Sequence, residues 1–522
     1  MNKKIIAWIV AAVLVLTGGG LGLYFGLRSP EAKPKIVIST VTGTGIPQGL
    51  EAVRQKYNEY HPEVEVVIEL KPANGYSEWL SSEFSNPVAD IVDISTAAAN
   101  ARSKVADYNE YMDEVSPYSG KAWKEQFNYA AQIPDPFANG LRSISLERVQ
   151  IVWIYNKEIF EECGVTPPET WEQLIEVCQK LEARGYQPIG VGGTYDGFHS
   201  GSIGHLFQIY NDQITRDVIN IVRAQPGDYC YDPEVDGTWE YNPDDPYNDD
   251  SGYVTVNPVR LLKAISDGAY AADSPGSKFV TEQLARVFPA YAGGSNMYGV
   301  DYPHTQFYRG DVAMIIDGAY AVPRYYAELD KENAEIEKNP NYKPTMSGAE
   351  IGTFNMPSME GEYVKAAART IEVPVGFYGV IEKSKEQTER VMDFMMFLSS
   401  EEGYSIYQTA ALANGAVPSG ANLVYGVEIP EKYQQMYAQL ESVGNCQKAP
   451  CQTIARGAAN DIQASVREWY TYTKEFFDGT ITIDVWAQKH RENVAKYFTD
   501  SLAAAGISQS DLEYPQNKPS GI

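Results

Sequence analysis

Apolar and polar residues change their spacing in blocks along the chain. Between residues 35 and 94, three short β-prone apolar runs (35–40, 64–70 and 89–94) flank a stretch with helical periodicity at 50–60. Strand alternating with helix predicts a mainly parallel sheet with helices on its faces. The run 149–155 is strongly β-prone, and 156–164 reads as a short helix closed by Gly164. Pro167 and Pro168 break the chain. Thr170 then caps a helix starting at Trp171, with Gln173 in the partner position of a capping box, and this helix ends near Gly185. A strand at 186–191 leads into a polar, glycine-containing loop at 192–197. Farther on, 307–316 reads as helix end, turn and strand, 373–381 as strand, and 384–400 as helix. Residues 227–253, rich in Asp, Pro, Asn, Gly and Tyr, read as an irregular surface insertion.

The N-terminus follows a different pattern. An apolar run occupies 5–27 between Lys4 and Arg28, long enough to cross a bilayer as a helix. It is read as a signal anchor over 1–28, followed by a Pro-containing linker at 29–34. Cleavage near Gly18, Gly19 and Gly20 is the alternative. Basic residues lie on both sides of the run, so the flanking charge does not set its orientation.

A chain of 522 residues with 44% hydrophobic and 21% charged residues is expected to form more than one packed globular unit. Its 69 acids against 42 bases give a net charge of −27, which argues against nucleic acid as a partner and favours a neutral or cationic ligand over an anionic one. Cys446 and Cys451 are spaced for a small disulfide loop. Cys163 and Cys178 form a second candidate pair, and the odd fifth cysteine is Cys230. Asp232, Glu234 and Asp236 echo a calcium loop, but Pro243 stands where the pattern needs its bidentate Glu. Neither a nucleophile elbow, a zinc-helix His pair nor a phosphate loop occurs, so no catalytic residue and no cofactor are expected.

One ordered string of residues is more specific. It runs through Tyr155, Asn156, Lys157, Ile159, Phe160, Gly164, Pro168, Thr170, Trp171, Leu174, Leu181, Gly185 and Pro188. Further pieces are Phe307, Gly310, Ala313 and Met314 with 318–320, then 379–385, 399–402 and 415–418. Over about 35–500 the chain thereby resembles the extracellular solute-binding proteins of sugar ABC transporters, the maltose-binding-protein-like family. The resemblance implies an α/β, two-lobed periplasmic-binding-protein-like fold, each lobe a central β-sheet flanked by helices. Lobe one would comprise 35–143 and 355–417, and lobe two 144–354 and 418–522, with hinges near 143–147 and 353–357. It also implies a monomeric receptor outside the cell, held to the membrane by the N-terminal segment, that captures a carbohydrate, an oligosaccharide above all, for ABC permease subunits. A receptor feeding a membrane sensor, and a ferric-ion receptor of the same fold using Tyr325 and Tyr326, are the alternatives.

Sugars present apolar C–H faces and many hydroxyls, so their sites combine aromatic plates with hydrogen-bonding side chains. By position in the family, Tyr320 stands where a stacking Trp is common, flanked by Asp317 and Arg324. Tyr195, Asp196 and His199 lie in the loop after the 186–191 strand. Glu147 and Arg148 lie at a crossing segment, and Thr42, Thr44, Ser95 and Thr96 lie in the strand-end loops of lobe one. These are the expected ligand-binding residues.

Overall fold

The computed structural model describes residues 33–521 apart from 98, 136–139, 251–252, 340, 438–439, 441–442, 447–453 and 460–461. The run expected to be a signal anchor and most of the expected linker lie outside the described residues. Among the described residues no helix is long and apolar enough to cross a membrane.

Two sheets organise the chain. The first contains β1 (Lys35–Ser39), β2 (Glu65–Ile68), β3 (Ile91–Asp93) and β9 (Tyr378–Val380) in the order β2-β1-β3-β9. The second is built around the ten-residue β4 (Glu147–Asn156), with β5 (Gln187–Gly190), β6 (Val312–Gly318), β7 (Ile351–Phe354), β8 (Glu372–Val375) and β10 (Ala421–Asn422). Each sheet has its own apolar core. Ile36, Ile38, Leu50, Val53, Trp123, Phe127 and Phe394 belong to one; Trp153, Trp171, Leu174, Phe207, Met314 and Trp469 belong to the other. The molecule is therefore a two-lobed α/β protein. The parallel expectation holds for β1 with β2 and β3, but β4 runs antiparallel to β6, β7, β8 and β10. Segments returning to the second lobe enter against β4, which leaves β5–β6 as its parallel pair.

Local chemistry explains the element boundaries. Helix Trp171–Ala183 starts with the reciprocal capping box of Thr170 and Gln173. Its inner face buries Trp171, Leu174, Val177, Cys178 and Leu181 at helical spacing. The 373–381 run, read as one strand, is two. Gly376 at φ +84° turns the chain between them, so β8 pairs with β4 whereas β9 pairs with β3. Passage between the sheets thus falls at Gly376 and Phe377, later than the expected 353–357, because Met356, Met359 and Ile371 are buried in the second core. The other passages are at 144–147, where Ile144 pairs with Tyr378 and Glu147 with Val375, and near β10.

Cys163 and Cys178, a candidate pair, are separate thiols. Cys178 points into its helix's core while Cys163 ends the preceding helix half-buried. Cys446 is buried; its candidate partner Cys451 lies outside the described residues. The described part of the insertion is irregular as expected. It is held by a buried ion cluster in which Arg369 bridges Asp212 and Asp249.

Candidate functional site

The parallel strands of the first sheet deliver their carboxyl ends to one edge, where ligands of open α/β sheets bind. After β1 the chain pairs Val41 with Lys71, and the Thr42 N–H donates to the Lys71 carbonyl at 2.9 Å. Gly45 has φ +77°, and a Cβ there would stand 2.5 Å from the Ala411 carbonyl oxygen. Only glycine lets this loop press against helix Glu401–Ala413. Ser95 and Thr96 are exposed at the end of β3, where the Asp93 carboxylate accepts from the Ser95 N–H at 2.8 Å.

Thr44 and Glu147 meet in a cavity of about 240 Å³ at the passages between the sheets, which Tyr378, Tyr404, Tyr407 and Gln408 also line. The Glu147 carboxylate accepts from the Tyr404 phenol at 2.7 Å and the Ser419 N–H at 3.2 Å. Burial, reinforced by the charge of Glu147, holds the Tyr404 phenol well above its ordinary range, so it remains a donor. Tyr404, Tyr407 and Gln408 were not foreseen; their i, i+3, i+4 spacing on one helix is the signal that could have found them. Arg148 is not in this group. It pairs with Glu372 at 3.0 Å.

The second lobe's wall is built on the end of β6. Asp317 Oδ1 accepts from the Tyr320 phenol at 2.8 Å and the Gly318 N–H at 2.7 Å, and Oδ2 contacts His304 Nε2 at 2.5 Å. Burial alone would raise the Asp317 carboxyl, but these donors and the His304 charge hold it below the usual carboxylate range. Burial and then the Asp317 charge push the Tyr320 phenol up. The Arg324 guanidinium lies 5.0 Å from the Tyr320 ring centre. His304 and the exposed Tyr302, its ring 6.4 Å from the imidazole, extend this surface. His304 is thirteen residues from Asp317 and on a different element, so no local spacing announces it.

Tyr195, Asp196 and His199 form a short helix, Tyr195–His199, in the loop after β5. Tyr195 is a bracket rather than an open plate. Its ring stacks on His199 with 5.8 Å between centroids, Arg467 sits 4.1 Å from its centre, and its phenol donates to Gln463 at 3.0 Å. Asp196 is exposed. The His199 carbonyl accepts from Arg456 at 2.9 Å. His205 joins this loop to Asp317 electrostatically. Burial, the Arg456 charge and His199 bring its imidazole down to about 4 against the opposing pull of Asp317, so it is neutral.

Tyr325 is buried and its phenol donates to the Ala349 carbonyl, while Tyr326, whose phenol accepts from the Ile351 N–H, lines a cavity beside Lys157 and Glu350. Among the described residues no group of His, Cys, Asp and Glu is arranged to hold a metal ion. Asp236 accepts instead from the Thr255 and Asp232 N–H groups.

Comparison with known proteins adds to this geometry. The family model for bacterial extracellular solute-binding protein matches residues 42–405. A diacetylchitobiose binding protein of Streptomyces coelicolor is 28% identical over 124 residues, 23% of this chain and 26% of that protein, so the match spans about a quarter of the relative. The apo-form of RafE from Streptococcus pneumoniae shares the fold with a TM-score of 0.56 at 16% identity, covering 90% of this chain and 99% of RafE. The cyclic alpha-maltosyl-1,6-maltose binding protein of Arthrobacter globiformis has a TM-score of 0.54 at 12% identity, covering 90% of this chain and all of that one (100%).

Proposed function

The chain belongs to the bacterial extracellular solute-binding protein family, whose members are receptors rather than enzymes, and on that premise we propose that it captures a carbohydrate between its two lobes and delivers it to an ABC-type permease. The observation that carries the reading is Tyr320, an aromatic plate whose phenol is fixed by Asp317 at the carboxyl end of β6. His304 and Arg324 beside this ring on the second lobe, and Thr42, Thr44, Ser95 and Thr96 on the strand-end loops of the first, are the donors and acceptors this reading assigns to the sugar's hydroxyls. A plate satisfies the apolar face of a pyranose, and the polar groups discriminate, since an unpaired buried hydroxyl costs about 1–3 kcal/mol. Closing the lobes excludes water and gives the permease a shape to read. The relatives named for diacetylchitobiose and for a cyclic maltosyl-maltose favour an oligosaccharide.

The receptor works outside the cytoplasm as a monomer, tethered by its N-terminal apolar run. A thermal-shift screen across mono- and oligosaccharides tests the reading. A cognate sugar binds only the folded state and raises the melting temperature. A panel in which no carbohydrate shifts the transition, repeated by calorimetry with the same result, overturns it.

A further inference from the structure

We infer that Trp79, which lies beside Lys71, is the first lobe's ligand-stacking plate, the counterpart of Tyr320 on the second. This rests on reading the cleft as a carbohydrate site. Trp79 is placed by the fold, not by local sequence. After β2 the Lys71 N–H donates to the Thr40 carbonyl and its own carbonyl accepts from the Thr42 N–H, both at 2.9 Å. Lys71 thus sits beside the loop that carries Thr42 and Thr44, at the carboxyl edge of the first sheet. Helix Tyr76–Glu83 starts there. Its first residue is pinned to that edge: the buried Tyr76 phenol contacts the carbonyls of Ser39 and Asp93 at 3.2 and 3.1 Å and accepts from the Asp93 N–H at 2.9 Å. Ser39 and Asp93 are the last residues of β1 and β3. Trp79 follows on the same helix face, its ring 5.3 Å from that of Tyr76, and, like Val41 and Phe377, it packs against the apolar cluster that contains Tyr76 and Leu80.

Among the described tryptophans, Trp79 and Trp239 are partly exposed. Trp123, Trp153, Trp171, Trp469 and Trp486 are fully buried. Trp239 belongs to the insertion, where its indole N–H donates to the Asn248 carbonyl and Arg223 covers its face. Trp79 is partly exposed at a strand-end edge, with the Lys71 ammonium 5.1 Å from its ring centre. That ammonium is also 3.2 Å from Glu69. A sugar that takes the indole face therefore displaces a cation that keeps a carboxylate partner, and the exchange leaves no charge unpaired. An indole is the strongest of the aromatic faces for such contacts.

The test uses the full chain and the tightest-binding oligosaccharide from the screen. By calorimetry, Trp79→Ala and Trp79→Leu are expected to weaken binding at least about tenfold. Trp79→Phe, which restores a ring, is expected to stay within about threefold of the parent, and Lys71→Ala to bind as well as the parent or better. Trp79→Leu keeps apolar volume against the cluster of Tyr76 and Leu80, so a folding defect in the Ala variant does not decide the matter. A second readout is independent of affinity: the fluorescence difference between the parent chain and Trp79→Phe isolates this indole, and saturating sugar is expected to shield it from acrylamide. Unchanged binding in Trp79→Leu, with Tyr320→Ala weakened and the isolated indole unshielded, overturns the inference and leaves the cleft reading standing. A parent chain that binds no carbohydrate overturns both.

Discussion

The phenol of Tyr320 donates to Oδ1 of Asp317 at 2.8 Å, so the ring at the end of β6 has a fixed tilt. Asp317 is largely spent on this task, because His304 and the Gly318 N–H occupy the rest of its near lone pairs. On the proposed reading it would orient the Tyr320 ring more than contact the ligand. Tyr320→Ala is expected to weaken the cognate sugar at least about tenfold, roughly 1.4 kcal/mol. Tyr320→Phe keeps the face and loses only the anchor, so its loss is expected to be smaller. Calorimetry on the two variants separates plate from anchor; equal affinities for the parent and the Ala variant discard the stacking role.

His490 predicts how stability depends on pH. It is buried between the Tyr472 phenol at 2.7 Å and the Ile454 carbonyl at 3.0 Å. Burial brings its folded value to about 4, against an ordinary 6.5, despite the favourable Ile454 bond. Between those values the unfolded chain binds more protons. The contribution is fully present above about pH 6.5 and is lost as pH falls toward about 4, up to roughly 3 kcal/mol for one such group. His205 acts in the same direction. Urea midpoints at pH 7.5 and 5 are expected to fall more steeply for the parent than for His490→Asn. Parallel slopes in the two chains count against a neutral buried His490.

What the sequence disclosed depended on whether the cause was local. The Thr170 cap and Gln173 are three residues apart, and the structure has that box. The Asp317–Tyr320 turn was legible because strand, turn and plate are contiguous. The His304 contact to Asp317 joins separate elements, as does the cavity that unites Thr44 with Glu147 and Tyr404. No periodicity encodes such meetings. Tyr195 was legible as a loop aromatic, but Arg467 and Gln463, which cover it, come from a helix more than two hundred residues away. The apolar pattern over 373–381 is continuous and so predicts one strand; its division between two sheets is a tertiary choice made at Gly376.

Arg369 is 1% exposed and grips two carboxylates, Asp212 at 2.8 Å and Asp249 at 2.5 and 2.6 Å, with Arg216 also on Asp212. Removing the guanidinium leaves two buried acids facing one another with too little positive charge. Arg369→Met is expected to lower stability by about 3–5 kcal/mol. Because Asp249 and the Pro246 carbonyl belong to the insertion, the same change is expected to speed proteolytic cutting within 227–253. Urea unfolding and limited proteolysis check the two effects; a loss under about 1 kcal/mol means the cluster is not what holds the insertion.

Gly376 takes the chain from the second sheet to the first at φ +84°, a conformation that disfavours a side chain by about 1–2 kcal/mol. A Cβ at this position would also stand 3.0 Å from the Tyr378 ring, which lines the cavity shared by Thr44 and Glu147. Gly268 offers a control, since it has φ +75° and nothing within 4 Å of its Cβ position. Both Gly→Ala variants carry the backbone strain, but only Gly376→Ala displaces a ring at the passage between lobes. Gly376→Ala is therefore expected to unfold at lower urea than Gly268→Ala and, unlike it, to weaken sugar binding. Matching urea midpoints and matching affinities in the two variants would mean that the passage tolerates a side chain and that Tyr378 moves aside without consequence.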